Sequence, residues 1–271
     1  MEETAYAKLN LALHVRGREP DGYHRIETAF AFAEEGDSLS VEPAGGIHLR
    51  VVGPFADRVS EHDNLVLRAA AALCDHCGIE AGAALTLEKR LPVAAGIGGG
   101  SADAAAAIRL LVRWWDLRLA EEALLELART LGADVPACLF SRSARGEGRG
   151  DRLEFAEDGF GLRGAPLLMV NPGVPLPTHL VFEGWDSRDR GPMGDPLVSR
   201  NDLEAPATRL VPEIGEVLGA LAALGTARLI RMSGSGATCF ALFGNDEDRD
   251  AASRYFAGRH PHWWRLASRL R

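Results

Sequence analysis

The sequence predicts an α+β protein of two domains, on three observations. The chain opens with strands of period two and then turns helical. A glycine-rich segment at 92–102 lies between a strand and a helix. After about residue 158 the elements run β-α-β-β-α-β with extra helices inserted, an order that predicts a ferredoxin-like second half. The 271 residues suffice for one large or two modest domains, with 46% apolar and 25% charged residues. That balance buries a sizeable core without disulfide or metal staples.

Ala5, Ala7, Leu9, Leu11, Leu13 and Val15 alternate with Lys8, Asn10, Ala12 and His14, so residues 4–15 read as a strand. Further strands are predicted at 24–33, 38–42, 47–52 and 85–89, separated by Gly and Pro signals. Asp63 is placed to cap a helix over 64–77 that Gly78 closes. Helices are predicted over 102–115 and 120–131, and 144–155 is glycine-rich and then strand-like. In the second half, strands are predicted at 167–171, 228–232, 238–243 and 263–267, and helices at 177–182, 202–209, 213–224 and 247–256. The Gly, Pro and Asp content of 183–199 makes it a loop. The tail HPHWWRLASRLR reads as a closing strand with Trp263 or Trp264 packed inward.

Thirty basic against 38 acidic residues give a net charge of −8, which speaks against nucleic acid as partner. An anionic small substrate remains compatible, because a local basic pocket can sit on an acidic protein. No apolar run is long enough to span a membrane. The acidic start Met1-Glu2-Glu3 does not look like a signal peptide, so a cytoplasmic enzyme is expected. Cys74 and Cys77 form a lone C-x-x-C and read as ordinary helix cysteines. His14, His48, His62 and His76 share no ligand spacing, and no protein-bound metal is expected.

The segment Pro92-Val93-Ala94-Ala95-Gly96-Ile97-Gly98-Gly99-Gly100-Ser101-Ala102 carries the most chemistry. A phosphate needs many N–H donors at close range, and glycine offers them without a blocking Cβ. The following helix adds the positive end of its dipole. The segment is neither a Walker A loop nor G-x-G-x-x-G. Ser101 can cap the helix, or bind phosphate or magnesium. Lys8 is a charge in an otherwise apolar strand, and period two puts Asn10 on its side. Asp134, before Val135-Pro136 at a helix start, reads equally well as a cap or as a base.

Several segments resemble the GHMP kinases (galactokinase, homoserine, mevalonate and phosphomevalonate kinases). They are AKLNLALHV at 7–15, PDGYH at 20–24, DNLVLRAA at 63–70, LPVAAGIGGGSADAA at 91–105, LGADVP at 131–136, GRGD at 148–151 and SGSGAT at 233–238. They follow the expected order over nearly the whole chain. AKLNL, DGYH and GADVP resemble the branch that phosphorylates the 2-hydroxyl of 4-diphosphocytidyl-2-C-methyl-D-erythritol in the non-mevalonate isoprenoid pathway. Val93, Ala94, Ile97 and Glu19 are mild departures from that pattern.

The resemblance implies an S5-like N-terminal ATP-binding domain over 1–157 and a ferredoxin-like C-terminal domain over 158–271, with the active site in the cleft between them. It implies ATP, with Mg²⁺ on its phosphates. Asp134 becomes the general base and Lys8 its charge partner. Residues 92–102, with Asn64 and Leu65 near the adenine, bind the nucleotide. Asn10, Tyr23, His24, Thr178 and Phe182 bind the cytidine diphosphate-linked methylerythritol, with Tyr23, His24 and Phe182 against the cytosine. The turn Ser233-Gly234-Ser235-Gly236, otherwise a plain hairpin, closes over the phosphates. Arg145, Arg149 and Arg152 receive no role. A monomer or weak homodimer is expected. Another GHMP kinase of homoserine or mevalonate type, or a nucleotide-binding module without catalysis, is the alternative.

Overall fold

The computed structural model describes residues 1–271. The chain forms two compact units. One comprises Met1–Ala7, Glu35–Val93 and Gly98–Ser141, the other Lys8–Glu34, Ala94–Ile97 and Arg142–Arg271. Two long strands, β1 (Glu2–Arg18) and β2 (His24–Glu42), contribute residues to both.

The sequence suggests two strands where β2 is one, because Glu34-Glu35-Gly36-Asp37 breaks the alternation. Gly36 is what lets the strand continue. A Cβ there would stand 1.8 Å from the Ala5 carbonyl oxygen, so only glycine permits this approach to β1.

In the first unit, Ser38–Glu42 pairs antiparallel with β4 (Ala83–Glu88), and β4 pairs parallel with β3 (Ile47–Val52). Four helices accompany them: α1 (Leu65–Cys77), α2 (Gly99–Trp114), α3 (Glu121–Leu131) and α4 (Val135–Phe140). Helix α2 packs against α1, α3 and α4. A helix with neighbours on several sides is apolar nearly all round, and α2 buries Ala102, Ala104–Ala107, Ile108, Leu110 and Leu111. The cap of α1 is Asn64, whose side chain accepts from the Val66 amide at 2.9 Å. This corrects the expectation for Asp63, which is exposed and whose amide is bound by Ser60 instead. Gly78 closes α1 in the left-handed region as expected, at φ 62°.

In the second unit, Ile26–Phe30 of β2 pairs with β5 (Ala144–Gly148), which forms a hairpin with β6 (Arg152–Phe155). The remainder is a four-stranded antiparallel sheet in the order β10 (Trp264–Arg269), β7 (Pro166–Asn171), β9 (Cys239–Phe243), β8 (Ala227–Met232). Numbered within the sheet, that order is 4-1-3-2, the ferredoxin-like arrangement the sequence predicts. Helices α5 (Thr178–Glu183) and α6 (Glu204–Leu210) are the insertions, and α7 (Glu213–Ala223) and α8 (Asp246–Arg259) are the crossovers. Leu168, Val170, Ala241, Ile214, Val217, Leu221 and Phe256 share one core with Trp263. Trp263 is thus the inward tryptophan of the tail, with His260 stacked on it at 3.8 Å. No helix is long and apolar enough to cross a membrane.

Candidate active site

The glycine-rich segment leaves the first unit after Val93 and returns at Gly98. Its backbone takes positive φ at Ala94 (52°), Gly96 (74°) and Gly98 (63°). At Gly96 the constraint is also steric. A Cβ would meet the Ser233 carbonyl oxygen at 2.4 Å and Gly236 at 2.7 Å.

Helix α2 begins at Gly99, three residues before the expected start, because the glycines expected to form loop make its first turn. Gly98 is the N-cap and offers no side-chain bond, so the amides of Gly99, Gly100 and Ser101 have no acceptor within the helix. Ser101 is the third helical residue and does not cap, which removes one of its two readings. Leu65 stands beside this turn, its Cδ1 3.6 Å from a Cβ placed on Gly100. Both polar ends of the Asn64 side chain are engaged locally, on the Val66 amide and the Ser60 carbonyl.

Lys8 belongs to the second unit. Lys8 is 3% exposed, and its amide donates to the Ile97 carbonyl at 3.1 Å. Its ammonium donates to Asn10 Oδ1 at 2.7 Å and lies 5.5 Å from the Phe30 ring centroid. Asn10 Nδ2 donates to Thr28 Oγ1, whose hydroxyl passes a bond to the Ala12 carbonyl. The Asn10 amide donates to Ser233 Oγ, which in turn donates to the Gly96 carbonyl. The Thr238 amide reaches Ala95. The Ser/Gly turn therefore packs onto residues 95–96 of the glycine segment as well as making a hairpin.

Asp134 precedes α4 in the first unit. Its side chain accepts no bond from the amides of that helix, so the cap reading is not realised. Arg109 of α2 fixes the helix through the Cys138 and Leu139 carbonyls at 2.7 and 3.1 Å.

The aromatic residues gather in the second unit. The turn 19–23 is held by Glu19 and Gly22 amides and by an Asx bond from the Tyr23 amide to Asp21. Tyr23 is 57% exposed, with the Arg149 guanidinium 4.0 Å from its ring centroid. Arg149 also pairs with Asp21. His24 lies 5.0 Å from Phe182 and meets Trp185 edge-on at 5.8 Å. Burial, helped by Arg18, holds its imidazole below the ordinary histidine range. At neutral pH the ring is therefore uncharged and offers one N–H and one lone pair. Thr178 Oγ1 shares a hydrogen bond with Ser235 at 2.9 Å. The sequence reading gave Arg149 no role and did not name Trp185. Arg149 lies in a stretch with several arginines, and Trp185 lies in an apparent loop, so neither gave a local signal.

Residues 64–142 match the model of the GHMP kinases N terminal domain, and 182–261 that of GHMP kinases C terminal. A 4-diphosphocytidyl-2-C-methyl-D-erythritol kinase of Rhizorhabdus wittichii is 60% identical over 279 residues, covering 99% of this chain and 94% of its own. A protein of that name from Sphingopyxis alaskensis is 47% identical, covering 100% and 99%. A solved 4-(cytidine 5'-diphospho)-2C-methyl-D-erythritol kinase superposes with a TM-score of 0.84 at 36% identity, over 100% of this chain and 99% of that one. Homoserine kinase from Cytophaga hutchinsonii, at TM-score 0.70 and 16% identity over 100% and 94% of the two chains, shares the fold. The chain belongs to the GHMP kinases, ATP-dependent phosphotransferases, and within them to the family of 4-diphosphocytidyl-2-C-methyl-D-erythritol kinases.

Proposed function

We propose that this kinase transfers the γ-phosphoryl of ATP to the 2-hydroxyl of 4-diphosphocytidyl-2-C-methyl-D-erythritol, a step toward isoprenoid precursors. Asp134 takes the hydroxyl proton, and Lys8 neutralises charge on the moving phosphoryl group. Asn10 hydrogen-bonds the erythritol portion, with Thr178 as a further contact. Tyr23, His24 and Phe182 hold the cytosine, and the neutral His24 ring suits its donor and acceptor edge. Residues 92–102, with Asn64 and Leu65, hold the nucleotide. The functional division is taken at 157/158, and the enzyme is expected in the cytoplasm as a monomer or weak homodimer.

The observation that carries this reading is the buried Lys8–Asn10 pair beside the Ile97 backbone. An ammonium held in a buried site beside a phosphate-type loop is placed to meet the charge of a transferring phosphoryl group. No group of three His, Cys, Asp or Glu side chains could hold a metal unaided. Mg²⁺ would enter with ATP at residues 92–102 and would offset phosphate charge there.

The test is ADP release from Mg²⁺-ATP with the cytidine-linked alcohol, homoserine and mevalonate in parallel. Turnover confined to the first supports the acceptor, and equal turnover of either other alcohol removes it. Tight ATP binding with no ADP would mark a module without catalysis. Asp134→Asn preserves size and removes the base, and kcat is expected to fall about 10²–10⁴-fold. Near-normal turnover of the folded variant would take Asp134 out of the mechanism.

A further inference from the structure

Three charged side chains to which the proposed function gives no role lie buried in the first unit. Lys89, just past β4, is 2% exposed; Asp37 of β2 is 0% and Asp103 of α2 is 3% exposed. The Lys89 ammonium contacts Asp37 Oδ2 at 2.5 Å and Asp103 Oδ2 at 2.6 Å. Asp37 Oδ1 accepts the Arg90 and Leu91 amides at 2.6 and 2.8 Å, the residues directly before the glycine segment. Asp103 lies one turn into α2, directly after it. A Cβ on Gly99 would come within 3.1 Å of the ammonium. One cation thus bridges the residues entering the segment to the helix leaving it.

We propose that Asp37, Lys89 and Asp103 are positioning residues that fix both ends of the phosphate loop, so that its amides are already aimed when ATP binds. The proposal rests on residues 92–102 being the nucleotide loop. A buried charge cluster costs desolvation, and hydrophobic residues of the same volume would hold the fold as well or better. The placement of the cluster at both ends of the segment therefore points to geometry. Two carboxylates on one ammonium leave an excess negative charge, and Asp103 Oδ1 accepts no hydrogen bond. Burial pushes the Asp103 carboxyl up to about 7, against the pull of Lys89 and with the push of Asp37. Burial draws Lys89 down, but the two carboxylates outweigh it and leave it above the ordinary lysine range. The charges acting on Asp103 are Lys89 and Asp37, and the faces buried by α1 and α4 are apolar.

The test is steady-state kinetics of Asp103→Leu and Asp103→Asn with ATP and the cytidine-linked acceptor varied separately. Asp103→Leu should raise KM for ATP about tenfold with KM for the acceptor unchanged. Asp103→Asn, which keeps an acceptor for Lys89, should restore it. Unchanged KM for ATP, or equal rises in both, overturns the proposal. Should the leucine variant not fold, the pH profile decides. Ionised Asp103 places negative charge under the start of α2, so wild-type KM for Mg²⁺-ATP should rise as pH passes about 7 and stay flat in Asp103→Asn. Identical profiles would overturn the proposal. Hydrogen exchange separates the two premises. If ATP fails to protect amides 94–101, the loop reading itself falls; if it protects them while the variants stay normal, only the positioning role does.

Discussion

The two ends of the proposed substrate set are built differently. Around the phosphate loop the polar contacts are buried and bond to backbone, as with Asp37 on the amides of residues 90 and 91. Around the cytosine residues they are open, as with Arg149 over Tyr23 and its pair with half-exposed Asp21. Buried polar networks are rigid and costly to break, whereas exposed pairs contribute little and rearrange readily. With the proposed assignments, the nucleotide end is preorganised and the acceptor end is assembled by the ligand.

The largest effect should come from the buried side. Lys89→Met leaves two carboxylates in a dry site without a counter-charge, and should cost about 3–5 kcal/mol of stability by denaturant melts. A loss no larger than a surface substitution would erase the contrast. The pH dependence of stability sharpens it. The folded value of Asp103, about 7, lies above its ordinary value, so folded protein binds the extra proton between the two. Its contribution is complete at low pH and is lost as pH rises through about 7. Tm should fall over that interval in wild type, and Asp103→Asn should remove that component.

On the open side, Tyr23→Ala should weaken acceptor binding by about 1–3 kcal/mol, with ATP affinity and Tm unchanged. Equal losses for both ligands by calorimetry would contradict the assignment. The smallest effect is expected from Arg149→Ala. Its ion pair with Asp21 is exposed on both partners, and pairs of that kind contribute about 0–1 kcal/mol to stability. A drop in Tm outside that range would show that the turn 19–23 is as rigid as the loop.

Much of the fold was legible because its signals are local. Period two marked β1, the turn residues around Asp21-Gly22 marked the approach to Tyr23, and the element order predicted the 4-1-3-2 sheet. The glycine segment was legible for the same reason, since positive φ favours glycine at 96 and 98 and close backbone approach also requires it at 96. Where two local signals conflicted, the reading slipped. Asp63 and Asn64 are both good caps, and it is the Asn64 side chain, with its Nδ2 on the Ser60 carbonyl, that accepts the Val66 amide. The first turn of α2 was hidden because Gly99 and Gly100 have poor helix propensity.

The sequence by itself determined the strands, the glycine segment, the ferredoxin-like half and the candidate lysine and aspartate. These follow from short-range preferences that each residue carries with it. Only the tertiary structure placed Lys89 between Asp37 and Asp103, 52 and 14 residues away, and set Arg149 over Tyr23. Such pairings depend on which strands and helices come to lie together. Coulombic and ring contacts act over a few ångströms of space, and separation along the chain says nothing about them.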